Sequence, residues 1–495
     1  MSGAPLASVL SALLLGLATA GCGTGDPPAA SEPGFALRAV VVPSRAAAEA
    51  AAPRASETAP EPADPEALEA VLGGLAGPDA RLHRLALADA RALGDAAVAP
   101  LAAILRDPAQ VPARRAAAAH ALAGLGTERA LSSLLGALES EHEAWLRAQC
   151  AWRISTLQID AAVPRLVLRL KYEADDMTVV WIAESLSTLG HLAGLDGLRV
   201  VRDTSGDEAA RASAGERLAA IAAEHGFESG DELYAAWYAG DPTGRIRVPQ
   251  PSPALLREAW DWIARLGEWD LRRVDDARFV LVRLEGWVVP LLAQSLHESD
   301  VYTRVHAAQV LERRGARARA AAPELVAALA DARLGPQAAL ALGAIGDRAA
   351  APPLEALLVG APDLERRVAA ARALGRAGTS TSIEPLRAAS GAGQPLDLRQ
   401  AAAAALVGLD QGDAQAGFLL ECLLSPAADA GSAEHALGAW IAGRARDGAQ
   451  PWAGLCARWR ALDPAAGSVP DATEVAHRRA ERAALAREAL AHARR

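Results

Sequence analysis

Lysine is almost absent from this chain of 495 residues: Lys171 is the only one. Arginine carries the positive charge, and acidic residues outnumber basic ones, 60 to 50, for a formal charge of −10. A protein whose main partner is nucleic acid needs the opposite balance, so no nucleic-acid partner is expected. Phe, Tyr and Met are scarce as well, numbering 4, 4 and 2. The apolar residues are therefore mostly Ala, Leu and Val. Such a composition suits closely packed helices, because Ala is the best helix former and small side chains let helices approach.

Cysteine is sparse and unpatterned. Cys22, Cys150, Cys422 and Cys456 include no CxxC spacing and no neighbouring His at ligand spacing, which argues against a disulfide framework and a zinc site. Cys150, within AQCAWRI, reads as a small buried hydrophobe. The ten histidines are scattered without HExxH or HxH. No catalytic residue, metal ligand or cofactor is expected. Asp175-Asp176 and Asp275-Asp276 are not paired acid-base carboxylates, since adjacent residues do not share a helix face. Each pair precedes an apolar run and reads as a helix N-cap.

Residues 5–20, PLASVLSALLLGLATA, are uncharged. At about 1.5 Å per residue the run is too short to cross a bilayer of roughly 30 Å, and it reads as part of a signal peptide over 1–21. Leu17-Ala18-Thr19-Ala20-Gly21-Cys22 resembles the lipobox of bacterial lipoproteins, in which small residues precede a cysteine that is lipidated. The resemblance implies a lipid anchor at Cys22 and a place in the cell envelope, at the outer membrane or in the periplasm of a Gram-negative cell. Ala18-Thr19-Ala20 reads equally as an ordinary small-x-small cleavage site. Residues 22–65, rich in Pro and Ala, are expected to form a disordered tether with a reach of roughly 35 Å.

What the chain does have is a period. A Gly followed by small or apolar residues at +4, +5 and +8 recurs at Gly126, Gly190, Gly346, Gly378 and Gly412, and Gln158 takes the Gly position once. Positions 126, 158 and 190 are evenly spaced, and 346 to 378 repeats the same step. Runs such as ARRAAAAHALAGLG and ERRVAAARALGRAG precede the Gly with apolar residues at helical spacing. The unit is thus two helices, with Gly in the left-handed conformation between them and units stacked face to face. Asp95, Asp347 and Asp413 follow such glycines and are expected to cap the second helix.

The phrases ALGAIGDRAAAPPLEALL and RALGDAAVAPLAAIL resemble HEAT repeats of the short type shared with phycobilisome-lyase-like proteins. The resemblance covers residues 66–462 and implies an all-α fold, a right-handed α-α superhelix (a HEAT-type α-solenoid) of about a dozen helical pairs. A first array is expected over 66–240, a Pro-rich junction over 241–253, a second array over 254–462, and a linker with a charged helix over 463–495. Trp237, and Trp452 with Trp459, are placed to cap the two arrays.

An array of this kind implies a non-catalytic interaction scaffold or adaptor. A HEAT-like lyase or DNA-glycosylase-type enzyme and a passive structural element of the envelope are the alternatives. With second helices lining the concave side, Arg165, Arg169, Arg199 and Arg202 form a ladder suited to an acidic segment of a protein partner or to an anionic envelope polymer. Trp260 and Trp262 cannot share one helical face, so one of them is expected either at the surface as an interface anchor or packed across the junction against the linker.

Overall fold

The computed structural model describes residues 63–77, 79–409, 415–424, 430–445, 451–463 and 472–493. The signal peptide, Cys22, most of the tether and Asp413 lie outside them. Every regular element among the described residues is helical. The chain separates into two compact units, dividing between Ala162 and Val163. The Pro-rich segment 241–253 runs within the second.

The first unit holds α1 (Pro65–Ala76), α2 (Ala80–Leu93), α3 (Val98–Arg106), α4 (Pro112–Leu125), α5 (Glu128–Ser140) and α6 (Ala144–Thr156). The second begins with α7 (Val163–Tyr172), α8 (Asp176–Thr188), α9 (Leu195–Thr204), α10 (Glu208–Glu224) and α11 (Gly230–Tyr238). After 241–252 come α12 (Pro253–Ala264), α13 (Leu271–Arg283), α14 (Val289–Ser295), α15 (Val301–Arg314), α16 (Ala322–Ala328), α17 (Gly335–Ile345) and α18 (Ala351–Gly360). The unit ends with α19 (Leu364–Ala377), α20 (Ile383–Ala389), α21 (Leu396–Gly408), α22 (Ala416–Leu424), α23 (Ala430–Arg444), α24 (Trp452–Arg460) and α25 (Ala472–Ala493). No described helix is long and apolar enough to cross a membrane.

Where aspartate caps a paired helix, it does so at the first helix of the pair rather than the second. Asp79, Asp175, Asp207, Asp270, Asp300 and Asp363 each accept from a backbone N–H in the first turn of α2, α8, α10, α13, α15 and α19. Asp347 caps only a short 3-10 turn, and Asp95 makes no cap bond. Asp275 and Asp276 are not caps either: they lie inside α13 and both bind Lys171 Nζ, at 2.5 and 2.8 Å. Gly126 and Gly346 end their helices with φ of 69° and 71°, the left-handed turn expected of them. Gly378 does not, with φ −67°, because the Thr379–Ser382 capping box follows at once.

Toward the end of the second unit the first helices α17, α19, α21 and α23 pack on one another extensively, whereas the second helices α18 and α20 share a much smaller contact. Small residues permit this. A Cβ added at Gly343 would stand 2.6 Å from the Cα of Ala373, and one at Gly375 3.1 Å from the Cα of Ala405. When one row of a stack is packed closer than the other, the stack bends with the closer row inside. In residues 335–445 the inner row is therefore made of first helices, the reverse of the expected arrangement.

Of the tryptophans expected as caps, Trp237 and Trp459 are buried and Trp452 is partly buried. Trp237 is buried, with the Arg317 guanidinium 4.1 Å over its ring, so the stack continues past α11. Trp459 is buried beneath α25, which docks through Ala483, Leu485, Ala486 and Ala489 instead of extending into solvent. Those positions follow the helical repeat and give a polar-looking sequence one apolar stripe.

Candidate functional site

The arginine ladder is present in space but its charge is met within the chain. Arg169 on α7 lies 2.9 Å from Glu173. On α9, Arg202 pairs with Asp203 at 2.7 Å and Asp231 at 3.0 Å, and these carboxylates raise its pKa. Arg199 lies 3.5 Å from Asp231, with its guanidinium 4.1 Å over the Tyr234 ring. Arg165 is half-buried and acts electrostatically on Glu258. Asp231 and Glu173 are thus what the ladder binds here.

Trp260 and Trp262 are both buried, with 5 % and 1 % exposure, which corrects the reading of one as a surface anchor. The reason is tertiary: α12 is packed by α7 as well as by α13, α14 and α15, so opposite helix faces are covered. The surface aromatic of this stretch is Trp269 at 86 % exposure, its ring 5.5 Å from that of Tyr302. His191, which replaces the expected capping Asp, is buried, with Nδ1 2.8 Å from Glu285 Oε2. Burial alone would raise the Glu285 pKa; the His191 charge, bonds from His191 and Leu192 and its own backbone N–H hold it below the ordinary value. Cys150, Cys422 and Cys456 are free thiols, so Cys422 and Cys456 do not pair. Burial pushes the Cys150 thiol up to about 12, which makes it inert.

The inner row of first helices carries an opening of about 410 Å³ across α19, α21 and α23. Its floor is small: Gly375, Ala401, Ala404, Ala405, Gly408, Ala436 and Ala439. Arg372 and Arg376, one turn apart on α19, line it with Asp397 and Gln400 of α21 and Ser432 and His435 of α23. Two guanidiniums and one carboxylate thus line the rim. The rim offers hydrogen-bonding groups on three successive helices, Asp397, Ser432 and His435 among them. A floor without bulky side chains lets a partner's backbone come close. By contrast, the larger opening of the first unit, about 920 Å³ along α3 and α5, is wide and brings Asp95 and Arg129 to 3.8 Å of each other.

Two stretches of the second unit match known repeat families. Residues 289–371 match the HEAT-repeat family. Residues 366–391, which include Arg372 and Arg376, match the PBS lyase HEAT-like repeat. No curated protein matches the chain. Among solved structures the chain is similar to human deoxyhypusine hydroxylase, at 23 % identity over 57 % of this chain and 95 % of that one, with a TM-score of 0.22. It is also similar to Kap95p, crystallised with RanGDP, at 12 % identity over 85 % and 66 % of the two chains and a TM-score of 0.29. A third is the CpcE–CpcF complex of phycocyanin lyase from Nostoc sp., at 18 % identity over 68 % and 98 % and a TM-score of 0.19. None of these likenesses bears on what this chain binds.

The described residues thus form an all-α array that contains HEAT repeats over residues 289–391, a form consistent with a scaffold or adaptor. Sequence reasoning missed the groove because it assigned the second helices to the inner side. The available signal was the run of Gly and Ala at first-helix positions, which marks the row packed closest.

Proposed function

We propose that this protein is a non-catalytic interaction scaffold of the bacterial cell envelope that holds an extended, acidic segment of a partner protein along the inner row of its second unit. The groove over α19, α21 and α23 carries the reading. It spans three repeats, its floor is Ala and Gly, and its rim presents Arg372 and Arg376 one turn apart. A planar guanidinium fork is matched by a carboxylate, and an array of equally spaced helices suits an extended chain. The lipobox-like LATAGC at 17–22 supports attachment of the mature chain by lipid at Cys22.

Two measurements test this. A photo-crosslinking residue at Ala439, in the groove, should capture a defined partner in cells, whereas one at Val359, exposed on α18, should not. Replacing Arg372 and Arg376 by Glu should abolish the Ala439 product. Identical products from both sites, or a product indifferent to charge reversal, would defeat the groove as the binding surface. Mass spectrometry of the mature amino terminus addresses the anchor: an unmodified terminus at Gly21 or Gly23 would remove it.

A further inference from the structure

The two most exposed large apolar side chains among the described residues lie two positions apart, at the start of α13. Trp269 is 86 % exposed, and Leu271, the first residue of the helix, is 79 % exposed. Tyr302, in the first turn of α15, joins them at 50 % exposure, its ring centroid 5.5 Å from that of Trp269. Helices α13 and α15 pack on each other, so their starts present a Trp, a Leu and a Tyr as one patch. Single exposed apolar residues need no explanation, but three together, two of them aromatic, mark a surface that meets something. They project instead of lining a depression: neither opening described above includes any of the three.

The polar groups next to the patch are already met. Glu268 pairs with Arg273 at 2.8 Å. Asp270 accepts from the backbone N–H groups of Arg272 and Arg273, and Asp300 from the N–H and hydroxyl of Thr303. The Arg272 guanidinium lies 5.3 Å from the centroid of the Tyr172 ring. Covering the patch with an apolar phase therefore strands no carboxylate. Three carboxylates against two guanidiniums give no basic excess, so attraction to anionic headgroups is not its driving force. Trp and Tyr beside an aliphatic residue are the composition that settles between lipid headgroups and acyl chains, where a side chain is apolar at one end and wet at the other.

We infer that Trp269, Leu271 and Tyr302 form a shallow docking patch that lays the second unit on a lipid surface. The inference rests on the anchor proposed at Cys22 for the nearness of a bilayer. About 40 residues separate Cys22 from Ala63, the first described residue, and a flexible chain of that length reaches roughly 35 Å. Tethering raises the effective concentration of the lipid surface, so three side chains of weak affinity suffice. The patch inserts its apolar ends only to the level of the headgroup boundary, since the ion pair and caps around it stay in water.

The test uses the chain from Gly23 onward, which keeps every described residue and carries neither signal peptide nor acyl group, with vesicles of phosphatidylcholine alone. The chain should sediment with the vesicles, and lipid brominated near the headgroup should quench its tryptophan emission more than lipid brominated at the chain end. Trp269→Ala should lower the partition coefficient roughly tenfold, and Leu271→Ala and Tyr302→Ala several-fold each, with helicity unchanged because all three side chains are exposed. Added anionic lipid or salt should change binding by less than about twofold. No binding to phosphatidylcholine, binding indifferent to Trp269→Ala, or binding that appears only with anionic lipid and vanishes in salt would each overturn the patch. So would a photo-crosslinking residue at position 269 that captures a defined protein in cells in place of lipid. Because the chain tested has no acyl group, failure on vesicles leaves the anchor standing, and an unmodified mature terminus leaves the vesicle result standing.

Discussion

The same substitution, Gly to Ala, is expected to act with opposite sign at two helical positions. Gly215, within α10, has open space where a Cβ would go, with nothing inside 4 Å. Ala there gains helix propensity at no steric cost, so Gly215→Ala should stabilise by about 0.5–1 kcal/mol. Gly343, within α17, gains the same propensity, but its Cβ would stand 2.6 Å from Ala373 Cα and 2.9 Å from Ala373 Cβ. Carbon atoms rest near 3.5–4.0 Å, so α17 and α19 would have to part by about 1 Å, which forfeits up to half the dispersion energy of the contacts between them. Overpacking of this kind costs about 1–3 kcal/mol, and backbone cannot swing aside as a flexible side chain can. The net expectation for Gly343→Ala is destabilisation of about 1–2 kcal/mol, confined to the neighbouring repeats because a stacked array opens locally. Native-state hydrogen exchange on α17 and α19 reads it directly: amide protection there should fall in Gly343→Ala, whereas Gly215→Ala should raise protection in α10. If Gly343→Ala increased protection as Gly215→Ala does, the close approach of the inner row would be refuted.

Two further outcomes follow from buried charge. His120 is held neutral in the fold, lowered from 6.5 to about 3 first by burial, so the unfolded chain takes up a proton that the folded one refuses. Stability present above the unfolded value is lost as pH falls from about 6.5 toward 3; by pH 5 the first unit should be weaker by about 2 kcal/mol, and His120→Gln should flatten this dependence in amide exchange measured against pH. Arg115, 2 % exposed, donates to the Leu105 carbonyl at 2.9 Å and to Glu141 and Glu143. Arg115→Met strands the mostly buried Glu141 and should destabilise the first unit by about 2–4 kcal/mol, read as a lower thermal midpoint by circular dichroism. An unchanged midpoint would show that the pair contributes nothing.

The sequence by itself determined the helical class, the period and many of the punctuation marks. A Gly at a fixed interval, with Ala and Leu at helical spacing before it, leaves little freedom at the level of the single pair, and Gly126 and Gly346 end their helices in the left-handed turn read from the sequence. These are local properties, set within a few residues by sterics and hydrogen bonding. What only the tertiary structure decided is which row lies inside, and hence which side chains form the groove. Helical periodicity marks an apolar face but not the distance to the next helix; that distance depends on whether Gly343 meets Ala373 and Gly375 meets Ala405, contacts made one repeat away. Trp260 and Trp262 show the same limit, since both sides of α12 are covered by elements as distant in sequence as α7 and α15. So does the pairing of Lys171 with Asp275 and Asp276 across more than a hundred residues, where a local reading expected only helix caps. Charge neighbours are likewise a property of the stack: Arg202 finds Asp231 and Arg115 finds Glu141, each more than twenty-five residues away, although nothing in their immediate sequence names these partners.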